Sequence, residues 1–317
     1  MIEKTISFLI TYAFKLEPSS RLAQTLNFFI YDTVKILLLL FFMIGLIGIV
    51  RTYISYKKIQ KLLSKKKGAS YAIASLFGAI TPFCSCSSIP IFMSLLKAGV
   101  SPGPAFSFLV TSPMINEYLV VLMLGFFGLK ITAAYILFGL MIGVLSGVLI
   151  EKFNLGRFIR KDFKASDDFE EEGDWQFSER LEYGREQAFL IVRKLWFWVV
   201  LGVGIGAIIH GFIPEEAIHG ILEKTGFFSV PLAAILGIPI YANCSAVVPI
   251  AVVLFEKGVP LGTALAFMMA TAALSLPEAV ILKRVMKTQL IIVFFAIVGG
   301  GIILVGYIFN AITSAFL

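Results

Sequence analysis

Charge is scarce in this sequence: 15% of its 317 residues are Asp, Glu, Lys or Arg, against about a quarter in soluble domains. The few charges are clustered, and long uncharged runs lie between them. A soluble protein with buried helices would need amphipathic helices to cover such cores, and few are present. Cysteine is equally scarce. Three residues, an odd number, exclude a disulfide framework. The two histidines, His210 and His219, lie far along the chain with no second cysteine pair, so no zinc site and no metal are expected. No phosphate-binding loop, catalytic triad or dinucleotide fingerprint occurs, so neither an enzyme nor a bound cofactor is expected. The N-terminus lacks a small-residue cleavage site, and Glu3 and Lys4 interrupt it, which fits an interfacial helix better than a cleaved leader.

What fills the sequence instead is apolar: 58% hydrophobic and 14% aromatic residues. A bilayer-crossing helix needs about 20 apolar residues. Eight such segments are readable, at 29–50, 70–97, 103–127, 131–150, 194–213, 230–255, 261–283 and 289–312. The net charge of +7 sits in short loops between them, the pattern of cytoplasmic loops facing anionic headgroups. Membrane lipids are the expected surroundings, and nucleic acid is not an expected partner. The expected class is an all-α polytopic membrane protein in a prokaryotic cell (inner) membrane.

The segments form two related halves. Shifting 85–109 by 159 residues superposes it on 244–268, with Pro90 on Pro249, Gly99 on Gly258, Gly103 on Gly262 and Phe108 on Phe267. A one-residue gap also pairs Cys86-Ser87 with Cys244-Ser245, and a two-residue shift downstream pairs Glu117 with Glu278. The expected division is a first transmembrane repeat at 1–150, a polar cytoplasmic linker at 151–193 carrying the acidic run Asp167–Asp174, and a second transmembrane repeat at 194–317. A short amphipathic helix is expected near Ser178–Val192. Internal repeats of this kind are the common plan of secondary transporters.

Loop charges constrain topology. Loop 51–68 holds seven basic and no acidic residues, and 151–164 holds five basic and two acidic ones; both belong in the cytoplasm. Lys283, Arg284 and Lys287 place 283–288 there too, whereas 214–229, with three glutamates and one lysine, can lie outside. Simple crossings cannot satisfy all four. The conflict disappears if 70–97 and 230–255 are broken, re-entrant segments that enter and return on one side, which makes the halves inverted repeats. The competing arrangement has eight full crossings with the linker outside.

Three motifs carry chemistry. Thr81-Pro-Phe-Cys-Ser-Cys-Ser-Ser-Ile-Pro90 sets Cys84, Ser85, Cys86, Ser87 and Ser88 between two prolines inside an apolar segment. Each proline removes an amide donor and disfavours helix before it, so the helix should break there. A half-helix starting near Ser87 would aim its amides at the break, attracting anions and favouring thiolate over thiol. Thiolates are soft ligands for thiophilic metals or metalloids. The bland alternative is a proline kink lined by small residues for helix packing. The second motif, Pro239-Ile-Tyr-Ala-Asn-Cys-Ser-Ala-Val-Val-Pro249, repeats the frame around Asn243, Cys244 and Ser245. The third, Thr111-Ser-Pro-Met-Ile-Asn-Glu117, puts Asn116 and a carboxylate deep in an apolar segment. Burial there would favour a neutral, proton-exchanging acid, so Glu117 and its partner Glu278 are candidates for coupling or substrate contact; the alternative is a structural hydrogen bond to a broken helix. Asp32 and Lys35 read as an interfacial ion pair.

At these motifs the sequence resembles the predicted permeases of the ArsP type. The likeness runs from the first span to the last. It rests most on Thr81–Pro90, with Thr111–Glu117, Asn243-Cys-Ser245 and Pro277-Glu278 beside it. Characterised members export trivalent organoarsenicals, and some relatives are suggested to work with a second membrane subunit. The resemblance therefore implies a permease for a small-molecule or metalloid substrate, with a second membrane subunit or a homo-oligomer as partner. The expected activity is secondary transport that exports a small thiophilic solute through a midplane site of Cys, Ser and Asn. A transmembrane thiol–disulfide relay is the alternative. It would need Cys244 to pair with Cys84 or Cys86, because cysteines two apart form a strained disulfide.

Overall fold

The structure, a computed structural model, describes residues 21–51, 68–81, 85–160, 176–212, 226–239, 244–256 and 258–316. Among these the regular elements are helices, apart from one isolated β-bridge. The first half contains α1 (Arg21–Arg51), α2 (Ala69–Ile80), α3 (Ser85–Lys97), α4 (Pro102–Met114) and α5 (Glu117–Lys152). The second contains α6 (Phe177–Phe212), α7 (Ser229–Gly237), α8 (Cys244–Glu256), α9 (Leu261–Ala273), α10 (Leu276–Leu282) and α11 (Thr288–Phe316). Helix α5 is kinked at Gly128, φ 75° and ψ 174°.

The 159-residue offset, visible in sequence over one window, also relates the bounds of several helices. It carries Ser85–Lys97 onto Cys244–Glu256, Pro102–Met114 onto Leu261–Ala273, and the start of α5 at Glu117 onto the start of α10 at Leu276. Local chemistry recurs with it. α3 ends in a Schellman motif, with Gly99 at φ 78° and the Val100 amide donating to the Leu95 carbonyl over 3.0 Å. Gly258 at φ 96° and the Val259–Leu254 bond, again 3.0 Å, close α8 the same way.

The structure refines the segment reading. Segment 103–127 is interrupted after Met114, because Pro113 withdraws one amide from the ladder and Ile115 and Asn116 take extended backbone. Segment 261–283 is interrupted at Leu274–Ser275. α6 is one continuous helix from Phe177 to Phe212, so the position 193/194 lies inside it, and the stretch 178–192 forms its first half. Leu119–Lys152, Leu261–Leu282 and Thr288–Thr313 are each long and apolar enough to cross a bilayer.

The core is built on α4 and α9. Every residue from Gly103 to Met114 is buried, and in α9 all but Ala272. Close packing there depends on small residues, which let backbones approach and gain dispersion contacts. A Cβ on Gly78 would lie 2.9 Å from the Phe108 carbonyl, and one on its counterpart Gly237 would lie 2.8 Å from that of Phe267. α2 packs against α4 with Tyr71 near Gly103 and Gly78 near Phe108, so the two run parallel. α5 runs antiparallel to α4, with Gly147 at Gly103 and Gly139 at Met114. α9 and α11 repeat this, with Gly306 and Asn310 at Gly262. Across the halves, Ile142 meets Gly301 and Phe138 meets Phe309, so α5 and α11 are antiparallel too. After α5 the chain makes a 3-10 turn at Leu155–Phe158 and pairs Ile159 with Met286, in the loop between α10 and α11.

Candidate functional site

Polar side chains close the ends of α2 and α4. Thr81 ends α2 with its hydroxyl donating to the carbonyls of Phe77 (2.8 Å) and Gly78 (3.1 Å). Its successor residues 82–84, with Cys84, lie outside the described residues. α3 then opens with Ser85, Cys86 and Ser87 in helical backbone, and Ser88 is fully buried. Pro90 inside α3 has no amide to give the Cys86 carbonyl, and Pro249 inside α8 has none for Ser245. Two backbone acceptors are thereby released in the first turns of these helices. Cys244 and Ser245 occupy helical backbone at the start of α8, whereas Asn243 lies outside the described residues. The side chains of Ser85, Cys86, Ser87, Cys244 and Ser245 also lie outside them, as does that of Asp32; Lys35 lies over the Tyr31 ring, 5.3 Å from its centroid.

The break between α4 and α5 is fully described. Asn116 is its N-cap: the side-chain oxygen accepts the Leu119 amide at 2.8 Å, and the residue is 7% exposed. The Tyr135 hydroxyl donates to the Met114 carbonyl at 2.9 Å, and the Ile115 amide to that of Thr111 at 2.8 Å. Behind the break, Ser75 and Thr111 share a buried hydrogen bond of 2.8 Å, Thr111 donates to the Ser107 carbonyl, and Ser75 lies 3.3 Å from the Leu140 carbonyl. This hydroxyl seam between α2, α4 and α5 was not singled out in the sequence. Its signal is there in retrospect, as Ser and Thr four apart on α4 facing glycines of α5.

The two carboxylates differ in exposure. Glu117, expected to be buried, is the first residue of α5 and is exposed, because the break turns it outward at a helix start instead of mid-helix. Glu278 is 2% exposed in the first turn of α10. They are not strict repeat partners. Asn116 and Ser275 are the equivalent N-caps, which sets Leu276 opposite Glu117 and Glu278 two residues further on.

The breaks of the second half adjoin one another: the Leu276 amide that opens α10 donates to the Ile238 carbonyl that follows α7, over 3.0 Å. The halves then interlock. α10, which carries Glu278, packs against α3, which carries Cys86; α8, which carries Cys244, packs against α5. Phe127 and Phe255 mark the second contact, with ring centroids 5.9 Å apart. The helix that follows one half's break is thus seated on the polar hairpin arm of the other.

Long apolar helices around two buried, interrupted ones define an all-helical integral membrane protein. It belongs to the predicted permease family ArsP, whose model matches residues 21–311. Among curated relatives, a UPF0718 protein of Methanocaldococcus jannaschii is 23% identical over 304 residues, covering 75% of this chain and 83% of its own. UPF0718 protein YcgR of Bacillus subtilis is 33% identical over 78 residues, covering 24% and 26%. A protein of Streptococcus mutans named as a subunit of a two-component membrane permease complex is 24% identical over 199 residues, covering 62% and 64%. No solved structure matches.

Proposed function

We propose that the chain is a secondary transporter that exports a small thiophilic solute, trivalent organoarsenicals being the leading class, through a site at the meeting of its helix breaks. One observation carries the reading: α10, with buried Glu278, packs against α3, the helix whose first turn holds Cys86 and three serines, and α8, the helix that starts at Cys244, packs reciprocally on α5. Backbone freed from helix inside a membrane is tolerated where it faces protein or a watered cavity. Transporters use such breaks as substrate sites. Each As–S bond formed with a cysteine would release one water from an As–OH group, and the reverse exchange would free the solute. Binding has to be exchangeable, or the site would trap what it carries. Ser85, Ser87, Ser88, Asn243 and Ser245 would line the site with Cys84, Cys86 and Cys244; Asn116 would hold the break open, and Glu117 and Glu278 would couple transport to protons.

The proposed topology is a pair of inverted repeats, 1–150 and 194–317, joined by a cytoplasmic linker. Four contacts support it. The Ile159–Met286 bridge joins the end of α5 to the start of α11, bringing two basic loops to one face. α4 starts beside Glu151 at that face. α9 starts beside Asn310, 22 residues along α11 from Thr288, a distance of about 33 Å for a helix. α2 also starts beside Glu151, whose carboxylate its Tyr71 contacts, and α3 returns to α4 through only Ala98–Ser101, as a re-entrant hairpin would. The inner membrane of a prokaryotic cell is the proposed location. The Streptococcus mutans relative's name supports a second membrane subunit as partner.

The test is resistance to trivalent organoarsenicals in an efflux-deficient host. Cys84→Ser with Cys86→Ser should abolish it. Unchanged resistance from correctly inserted double-mutant protein removes the thiol mechanism.

A further inference from the structure

Two stretches far apart in sequence meet at one end of the protein. The Arg160 amide donates to the Val285 carbonyl at 2.9 Å, and the Lys287 amide to that of Phe158 at 3.0 Å, so that Ile159 and Met286 face each other in an antiparallel bridge. Both bridge residues are buried, at 4% and 0% exposure. Around them stand Lys152, Arg157 and Arg160 from one half and Lys283, Arg284 and Lys287 from the other, all exposed. The single acidic side chain in 151–160 and 283–287, Glu151, is already engaged by the Gly103 amide and by Tyr71. Backbone bonds therefore hold six cations of both halves near one another. Like charges so placed repel unless counter-charge is present.

The surroundings identify that counter-charge. The patch lies where α5 ends and α11 begins, two helices long enough to cross a bilayer, and so at the boundary of lipid and water. Phe153, next to Lys152, is 62% exposed, and the Arg157 guanidinium lies over the Phe158 ring at 4.8 Å. Rings beside cations suit a ligand with a charged head and an apolar body. We propose that this composite patch is a binding site for the phosphate headgroup of an anionic phospholipid, seated across the end of α5 and the α10–α11 loop so that one lipid ties the two halves together.

The test uses the full-length protein in detergent, with dioleoyl phosphatidylglycerol, dioleoyl phosphatidylcholine and inorganic phosphate as separate probes, read by native mass spectrometry and thermal melting. Phosphatidylglycerol should remain bound and raise the melting temperature; phosphatidylcholine and inorganic phosphate at equal concentration should do neither. Each cation near an anionic surface contributes about fivefold in affinity, so Arg160→Gln, Arg284→Gln and Lys287→Gln together should weaken phosphatidylglycerol on the order of a hundredfold. The charge-preserving set Arg160→Lys, Arg284→Lys and Lys287→Arg should retain it. If the neutral triple variant does not fold, single Arg160→Gln and Lys287→Gln carry the test at about fivefold each. Equal phosphatidylglycerol binding by parent and neutral variants overturns the site, and inorganic phosphate matching phosphatidylglycerol overturns the lipid as its ligand.

Discussion

The backbone amide of Gly103 donates to the carboxylate of Glu151 over 3.2 Å, and the bond recurs 159 residues later between Gly262 and Asn310 at 2.7 Å. In both places a first-turn amide of a broken helix, which has no partner within that helix, is satisfied by the last turns of the helix beside it. The two ends differ in chemistry. The end at the basic face uses an ionisable acid, with Tyr71 as a further partner, and the other uses a neutral amide that also donates to Thr263 at 3.3 Å.

These joints leave no room at either glycine. A Cβ on Gly103 would meet Tyr71, Glu151 and the Gly147 carbonyl, and one on Gly262 would overlap the Gly306 carbonyl. Backbone cannot yield as a side-chain tip can. Gly103→Ala and Gly262→Ala should each cost about 1–3 kcal/mol, with Gly262→Ala the worse. Thermal melting of purified protein checks both, and parent-like melting of Gly262→Ala would contradict the described crossing of α9 and α11.

The N-cap at Asn116 gives a second prediction. Asn116→Ala strips the acceptor from the Leu119 amide and should lower stability by about 1 kcal/mol, whereas Asn116→Asp and Asn116→Ser keep an acceptor and should lose much less. If Ala and Asp variants melt alike, the side-chain cap contributes nothing.

Glu117 and Glu278 should behave unequally. Glu278 is sealed between helices and Glu117 is exposed. Under the proposed coupling, Glu278→Gln should abolish the dependence of proteoliposome transport on a pH gradient, and Glu117→Gln should reduce it less. A reversed order would assign the proton step to the α4–α5 break instead.

The contact at the basic face can be trapped covalently. Its two hydrogen bonds flank the Ile159–Met286 pair, the arrangement in which opposing Cα atoms lie about 4.5 Å apart, within disulfide range. Ile159→Cys with Met286→Cys should cross-link under mild oxidation, giving one linked peptide by mass spectrometry. Absence of that peptide in folded protein would separate the two loops and remove a main support for the inverted arrangement.

Much of this architecture was legible in the residues, and the reasons it stopped where it did are physical. Apolar segments disclosed the membrane class, and the matched Gly99 and Gly258 marked two equivalent turns, because a turn of positive φ demands the same residue wherever it recurs. Hydropathy could not separate α4 from α5 or α9 from α10, since each interruption is only two residues, Ile115-Asn116 and Leu274-Ser275, and the long apolar stretches on both sides outweigh them. The Glu117–Glu278 pairing needs its two-residue shift for a related reason. It matched side-chain type, while the fold conserves the capping position, and Asn116 and Ser275 serve that position with different residues. The Gly103–Glu151 and Gly262–Asn310 joints escaped because an acid and an amide do not look alike in sequence, although one oxygen of each makes the same bond.

α4 and α9 are enclosed by neighbours along nearly their whole length, and their close crossings rely on hydrogen atoms where other residues carry carbon. New cargo preference has no foothold there, because an added methylene has nowhere to go. A laboratory selection for altered cargo should therefore return changes at 81–88, 115–117, 238–245 and 274–278, and leave the two central rods as they are.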